Sequence, residues 1–213
     1  MLLLMLSVMA LGVAADRLYI EDFVISPGAT ANVPLMLDNE ATYTAFQADV
    51  TLPDVLSVNQ DTAAYGFMLT GRKGNHMLSV SRLTESTYRL VSYSVGLDTY
   101  HGESGALLTV AVTAAATFRD TATITLSNVR FTTPQAVEVS LEDQTCTLSA
   151  AWRRGDVNDD GEVDIGDIVR LIDYLLNNET AVNAYNADVL ADGEITVGDV
   201  TALIDYLLRG SWP

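Results

Sequence analysis

Residues 155–167 read Gly-Asp-Val-Asn-Asp-Asp-Gly-Glu-Val-Asp-Ile-Gly-Asp. Counted from Asp156, oxygen-bearing side chains fall at positions one (Asp156), three (Asn158), five (Asp160), nine (Asp164) and twelve (Asp167). Gly161 takes position six, where a loop wrapping an ion must turn sharply, and Glu162 at position seven offers its carbonyl. Four of these donors are carboxylates that repel one another without a cation. A hard ion wanting six to eight oxygens matches this spacing, so the stretch predicts a calcium loop of the EF-hand kind rather than a solvated acidic turn.

The pattern returns 32 residues later as Asp188-Val-Leu-Ala-Asp-Gly-Glu-Ile-Thr-Val-Gly-Asp199. Aligning residues 156–178 with 188–210 gives 13 identities in 23 positions, an internal repeat. After each loop, apolar residues recur at i, i+3, i+4, i+7 and i+8: Ile168, Leu171, Ile172, Leu175 and Leu176, then Val200, Leu203, Ile204, Leu207 and Leu208. Each run predicts a short helix with one apolar stripe. Neither helix is stable alone, so the stripes are expected to face each other. No convincing helix precedes either loop.

The second loop is poorer. It keeps Asp188, Asp192 and Asp199, the Glu194 carbonyl and the Thr196 hydroxyl, but Leu190 stands at position three. Fewer charged ligands predict weaker binding. One firm and one weaker calcium site are therefore expected, with the first filling before the second.

Two loop–helix repeats in about sixty residues resemble a type I dockerin, as do Asp at position twelve, Leu171 and Leu203, and Tyr174 and Tyr206. The resemblance covers residues 152–213. It implies a calcium-folded module that plugs into a cohesin domain on another protein and, in studied cases, holds glycan-degrading enzymes on a scaffold. It also places the partner-reading positions at Ile165 and Gly166 and at Val197 and Gly198. Leu190 and Thr196 depart from the family pattern, and an apolar residue beside glycine leaves the partner's identity open. Ile165 and Val197 either meet that partner or pin the loops to the module's own core. Trp152 and Trp212 flank the repeats and are expected to lie near each other.

The net charge of −17 excludes the basic face that nucleic-acid binders need, and it does not suit an anionic membrane surface. Residues 1–15 are apolar or small, too few to span a bilayer. They predict a secretory leader cut after Val13-Ala14-Ala15, with its basic start truncated. A secreted or cell-surface location follows. Cys146 has no disulfide partner in the chain.

Between Arg17 and Ala150 the period changes to two: Val33/Leu35/Leu37, Phe46/Ala48/Val50/Leu52, Leu108/Val110/Val112 and Ile124/Leu126 alternate, with turn residues between runs. This predicts an all-β sandwich of eight or nine strands. The strand Asn32-Val-Pro-Leu-Met-Leu-Asp38 after Ser26-Pro-Gly28, with Tyr43–Leu56 and Gly105–Val112 beyond, is similar to a cohesin-type sandwich. That resemblance implies that the body itself could receive a dockerin.

The expected organisation is a leader (1–15), a cohesin-like jelly-roll sandwich (17–150) and a small all-α dockerin module (152–213). No hydrolase, protease or phosphate-loop motif occurs. The reading is a secreted, non-catalytic adaptor in an extracellular polysaccharide-degrading assembly. The rival is a carbohydrate-binding sandwich using Tyr43, Tyr65, Phe67, Tyr88, Tyr93 or Tyr100, brought to its complex by the dockerin.

Overall fold

The computed structural model describes residues 16–177 and 182–212. The expected leader lies outside them.

Period-two sequence produces the strands. They are β1 (Arg17–Tyr19), β2 (Phe23–Ile25), β3 (Thr30–Asp38), β4 (Ala45–Thr51), β5 (Leu56–Val58), β6 (Phe67–Leu69), β7 (Met77–Arg82), β8 (Thr87–Tyr93), β9 (Ala106–Ala114), β10 (Thr121–Thr132), β11 (Glu138–Ser140) and β12 (Gln144–Ala150). The expected strands are present, and three-residue segments such as β1, β2 and β11 bring the number among the described residues to twelve. One sheet runs β1-β3-β9-β5, with β6 also paired to β9; the other runs β2-β12-β10-β4-β8-β7, with β11 on β10. All described pairings are antiparallel except β12 with β2.

Alternation sends one face of each strand inward. Val33, Leu35 and Leu37 from β3, Leu108, Val110 and Val112 from β9, Ile124 and Leu126 from β10, and Phe46, Ala48 and Val50 from β4 form one buried core. Tyr43 and Phe46 pack with tilted rings against Phe131 in this core, their centroids 4.5 and 5.5 Å from it. One end is stapled by Arg72, in the one-turn 3-10 helix Gly71–Lys73. Its guanidinium donates to the carbonyls of Leu37, His101, Gly102 and Gly105 and to Asn39 Oδ1. Five donors in a fixed fork suit such convergence.

On the outer side of β4, Asp49 Oδ1 and Oδ2 each accept from Arg89 at 2.7 Å, and Asn128 adds a bond at 3.2 Å. The Arg89 guanidinium holds the Asp49 carboxyl below its ordinary range, against the opposing cost of burial. A carboxylate depressed on folding contributes stability above its unfolded pKa of about 4 and loses it as pH falls through its folded value. Arg89→Met is therefore expected to flatten the sandwich's loss of stability below about pH 4. Urea melts of both proteins across that window check this; equal slopes would count against it.

After β12 the chain forms α1 (Ile165–Asn177), α2 (Ala184–Ala187) and α3 (Val197–Arg209). The two long helices stand where the stripes placed them. The one-turn α2 just before the second loop was not expected. Asn183 caps it by accepting from the Tyr185 and Asn186 amides.

Candidate metal centre and docking face

Glycine opens the helical part. Gly155 has φ +90°, and a Cβ there would lie 2.6 Å from Trp212, 2.9 Å from Leu203 and 3.0 Å from Val163. No larger residue fits. Its amide donates to Asn186 O at 3.0 Å, tying the first loop to α2. Gly161 and Gly193, at position six of each loop, share φ +90°, the left-handed turn that glycine adopts without strain.

The loop carboxylates are held by backbone amides. Asp156 Oδ1 and Oδ2 accept from the Asp160 and Gly161 amides at 3.1 Å. Asp188 accepts from Asp192 and Gly193 at the same distance. Asn158 Oδ1 accepts from Asp160 N, and Asp160 Oδ1 from Glu162 N. The Glu162 amide, and then the Asn158 side chain, hold the exposed Asp160 carboxyl below its ordinary range.

Position twelve closes each loop on its helix. Asp167 accepts from the amides of Val157, Asn158 and Asp164. Asp199 accepts from Leu190 and Thr196. Both are fully buried. Asp164 and Thr196 answer by accepting from Gly166 N at 2.6 Å and Gly198 N at 3.1 Å. Each helix thus starts with a reciprocal cap. Asp192, Glu162 and Glu194 are exposed, and the Leu190 side chain reaches Gly198, where an added Cβ would lie 3.1 Å from its Cδ1.

Among the described residues, no three acidic, histidine or cysteine side chains close on one point. Buried Asp156 and Asp167 are fixed, whereas Asp160 and Asp164 stand at the surface. The donor set remains that of a hard cation: oxygens alone, mostly charged. None of these loop carboxylates stands in an ion pair among the described residues.

The helical core is small: Val157, Ile168, Leu171, Ala187, Val189, Val200, Ala202 and Leu203. The helices contribute Ile168, Leu171, Val200, Ala202 and Leu203 to it. Leu176 and Leu208 face outward and Ile172, Leu175, Ile204 and Leu207 are partly exposed, so the stripes are covered along only part of their length. Two stripes of eight residues' span are wider than the contact two short helices make.

Ile165 and Val197 are 68% and 73% exposed, which answers the alternative left open: they do not pin the loops inward. The outward apolar residues match between repeats, with Leu176 and Leu208 at 78% and 80% exposure. Gly166 and Gly198 stand beside them on the first turns of α1 and α3.

Trp212 stacks on Tyr206 at 4.0 Å, with the Arg154 guanidinium 4.5 Å over it. Trp152 lines the same hollow but turns toward α2, donating from Nε1 to Tyr185 O at 2.8 Å.

In the sandwich, Tyr43, Phe67, Tyr88 and Tyr100 are buried, and Tyr65 packs against the core. Of the six candidate sugar-contacting aromatics only Tyr93 is exposed, so no platform of rings forms. His76 is buried against Tyr100 and bonded to the Thr44 carbonyl. Burial pushes the Cys146 thiol up to about 11, away from the thiolate a nucleophile needs.

Residues 154–208 match the family model of the dockerin type I domain. The sandwich matches cohesins of known structure. A non-cellulosomal cohesin from the archaeon Archaeoglobus fulgidus aligns at 14% identity and TM-score 0.51, covering 64% of this chain and 93% of that one. The sixth cohesin of Acetivibrio cellulolyticus scaffoldin B, solved with a dockerin, aligns at 12% and 0.54, covering 64% and 99%. A cohesin from a type I cohesin–dockerin complex of Clostridium thermocellum aligns at 8% and 0.52, covering 64% and 99%. At such identities the likeness shows the fold. No curated protein matches the chain.

The chain thus joins a sandwich of cohesin fold to a dockerin type I domain, a combination that supports cohesin–dockerin-type protein interaction. No helix among the described residues is long and apolar enough to cross a membrane.

Proposed function

We propose that the protein is a secreted, non-catalytic adaptor whose helical module docks calcium-dependently to a cohesin-type domain on another extracellular protein, in a polysaccharide-degrading assembly. Residues 17–150 form its sandwich and 152–213 its docking module. The observation that carries this reading is the duplicated loop–helix unit. Two caps of the same geometry present two matching outward apolar surfaces, Ile165-Ile172-Leu176 and Val197-Ile204-Leu208.

Asp156, Asn158, Asp160, Asp164 and Asp167, with the Glu162 carbonyl, would hold the firmer ion. Asp188, Asp192, Thr196 and Asp199, with the Glu194 carbonyl, would hold the weaker one. Calcium supplies the positive charge that lets these carboxylates sit together. The residues' own work is to close the loop on the helix, so that α1 and α3 present their apolar surfaces.

Calorimetric titration of the whole chain is expected to show one tight and one weaker calcium site; two equal tight sites would contradict the assignment. Capture of a cohesin-bearing secreted protein with calcium, and its loss with chelator, tests the docking role. Capture that ignores chelator would refute calcium dependence.

A further inference from the structure

The ligand-poor second loop is the one that meets the sandwich. Arg119, between β9 and β10, lies 5.3 Å over the Trp152 ring and 5.4 Å from the Tyr185 ring. Its Nη1 is tied to the Ala116 and Phe118 carbonyls, and its Nε is buried without a hydrogen-bond partner. The Tyr185 hydroxyl fills the Ser26-Pro27-Gly28 turn so closely that a Cβ on Gly28 would lie 2.2 Å from it. Trp152 Nε1 holds the Tyr185 carbonyl from the linker side.

Tyr185 sits in α2, whose last turn leads directly into Asp188, the first oxygen donor of the second loop. The Asp188 amide donates to Ala184 O at 3.1 Å. Thr117 and Arg119 of the sandwich share a hollow of about 260 Å³ with Tyr185, Asp188 and Gly193. The first loop touches α2 from inside the module: Asn183 and Asn186 donate to Asp159, and Asn183 N to the Val157 carbonyl.

We infer that the sandwich braces the second loop: Arg119 and the Gly28 turn hold Tyr185, Tyr185 sets Asp188, and the second loop's hold on calcium therefore depends on the sandwich. This rests on the calcium reading above. Arg119 and Tyr185 are positioning residues, since neither offers the ion an oxygen from its side chain's present place. A loop with fewer charged ligands gains most from having its shape fixed in advance, because less ordering remains to be done on binding. The coupling is reciprocal: calcium in the second loop must tighten the seat of the module on the sandwich.

The test is a calcium titration of the full chain and of Arg119→Ala and Tyr185→Ala, with thermal melts of each. Both variants are expected to weaken the second site by roughly tenfold and the first, which touches α2 only through Asn183 and Asn186, by much less. Retained first-site affinity shows that the module is still folded, and Arg119 lies outside it altogether. Calcium is expected to raise the sandwich's melting temperature in the wild type and not in Arg119→Ala. A guanidinium acting only by its charge would repel the ion, so tighter second-site binding in Arg119→Ala overturns the brace. So does an unchanged second site in both variants, or a wild type with a single site. A wild type that takes up no calcium overturns the calcium reading and the brace together.

Discussion

Asp167→Ala is expected to unfold the helical module at temperatures where the sandwich stays folded. The carboxylate is fully buried and accepts from three amides, those of Val157, Asn158 and Asp164. Removing it strands three amide donors; the buried Val157 amide alone costs about 1–3 kcal/mol, and the two part-buried ones less. Among its described residues the module has eight buried apolar side chains to set against that loss. So small a core leaves only a few kcal/mol of net stability. Chelation is expected to act in the same direction by leaving the loop charges uncompensated. The measurement is a calorimetric melt of the whole chain: two transitions in wild type with calcium, and in Asp167→Ala the sandwich transition alone. Two transitions of unchanged midpoint would show that Asp167 does not hold the loop. Asp167→Asn, which keeps one acceptor oxygen, should lie between.

The second large effect separates two leucines of one helix. Leu203 is fully buried at the meeting of α1 and α3, against the chain at Gly155. Leu203→Ala is expected to cost about 2–5 kcal/mol, comparable to the module's whole stability. Leu208, five residues on, is 80% exposed. Leu208→Ala is expected to change stability by less than about 0.5 kcal/mol. With Leu176→Ala added, so that both repeats lose the same outward residue, it should still weaken capture of the partner. Chemical denaturation reads the first effect and a calcium-dependent pull-down the second. A Leu208 variant that unfolds the module, or a double variant that binds as before, would move the docking surface elsewhere.

Much of this architecture was legible because it is periodic. Alternation announced β3, β4, β9 and β10, and the 32-residue repeat announced both loops and both helices. The stripe was legible too, but its division was not. Sequence spacing says that Leu171 and Leu176 share a broad face; only the crossing of two short helices decides that Leu171 is covered and Leu176 is not. Position twelve was read as an ion ligand from its spacing, yet its amide bonds, which shape the loop, come from backbone geometry that no side-chain pattern encodes. Arg72, Asn186 and Tyr185 left no local signal at all, because their partners lie roughly thirty residues or more away in the chain. In the sequence Gly155 is only the residue that opens the first loop. Its need to admit Trp212 and Leu203 appears only once the chain is folded.

The parallel pairing of β2 with β12 has a mechanical consequence. Phe23, Val24 and Ile25 run alongside Leu148, Ser149 and Ala150 in the same direction, and the Ala151 amide extends the ladder to Ile25 O at 2.9 Å. Suppose tension is applied between the helices after β12 and the start of the sandwich at β1. It then draws β12 and β2 toward opposite ends. Their rungs, and the six that tie β12 to β10, take the load together instead of opening one after another. A tether wired in this way yields by sliding, all at once, and grips hardest along the line in which a tethered complex would be pulled.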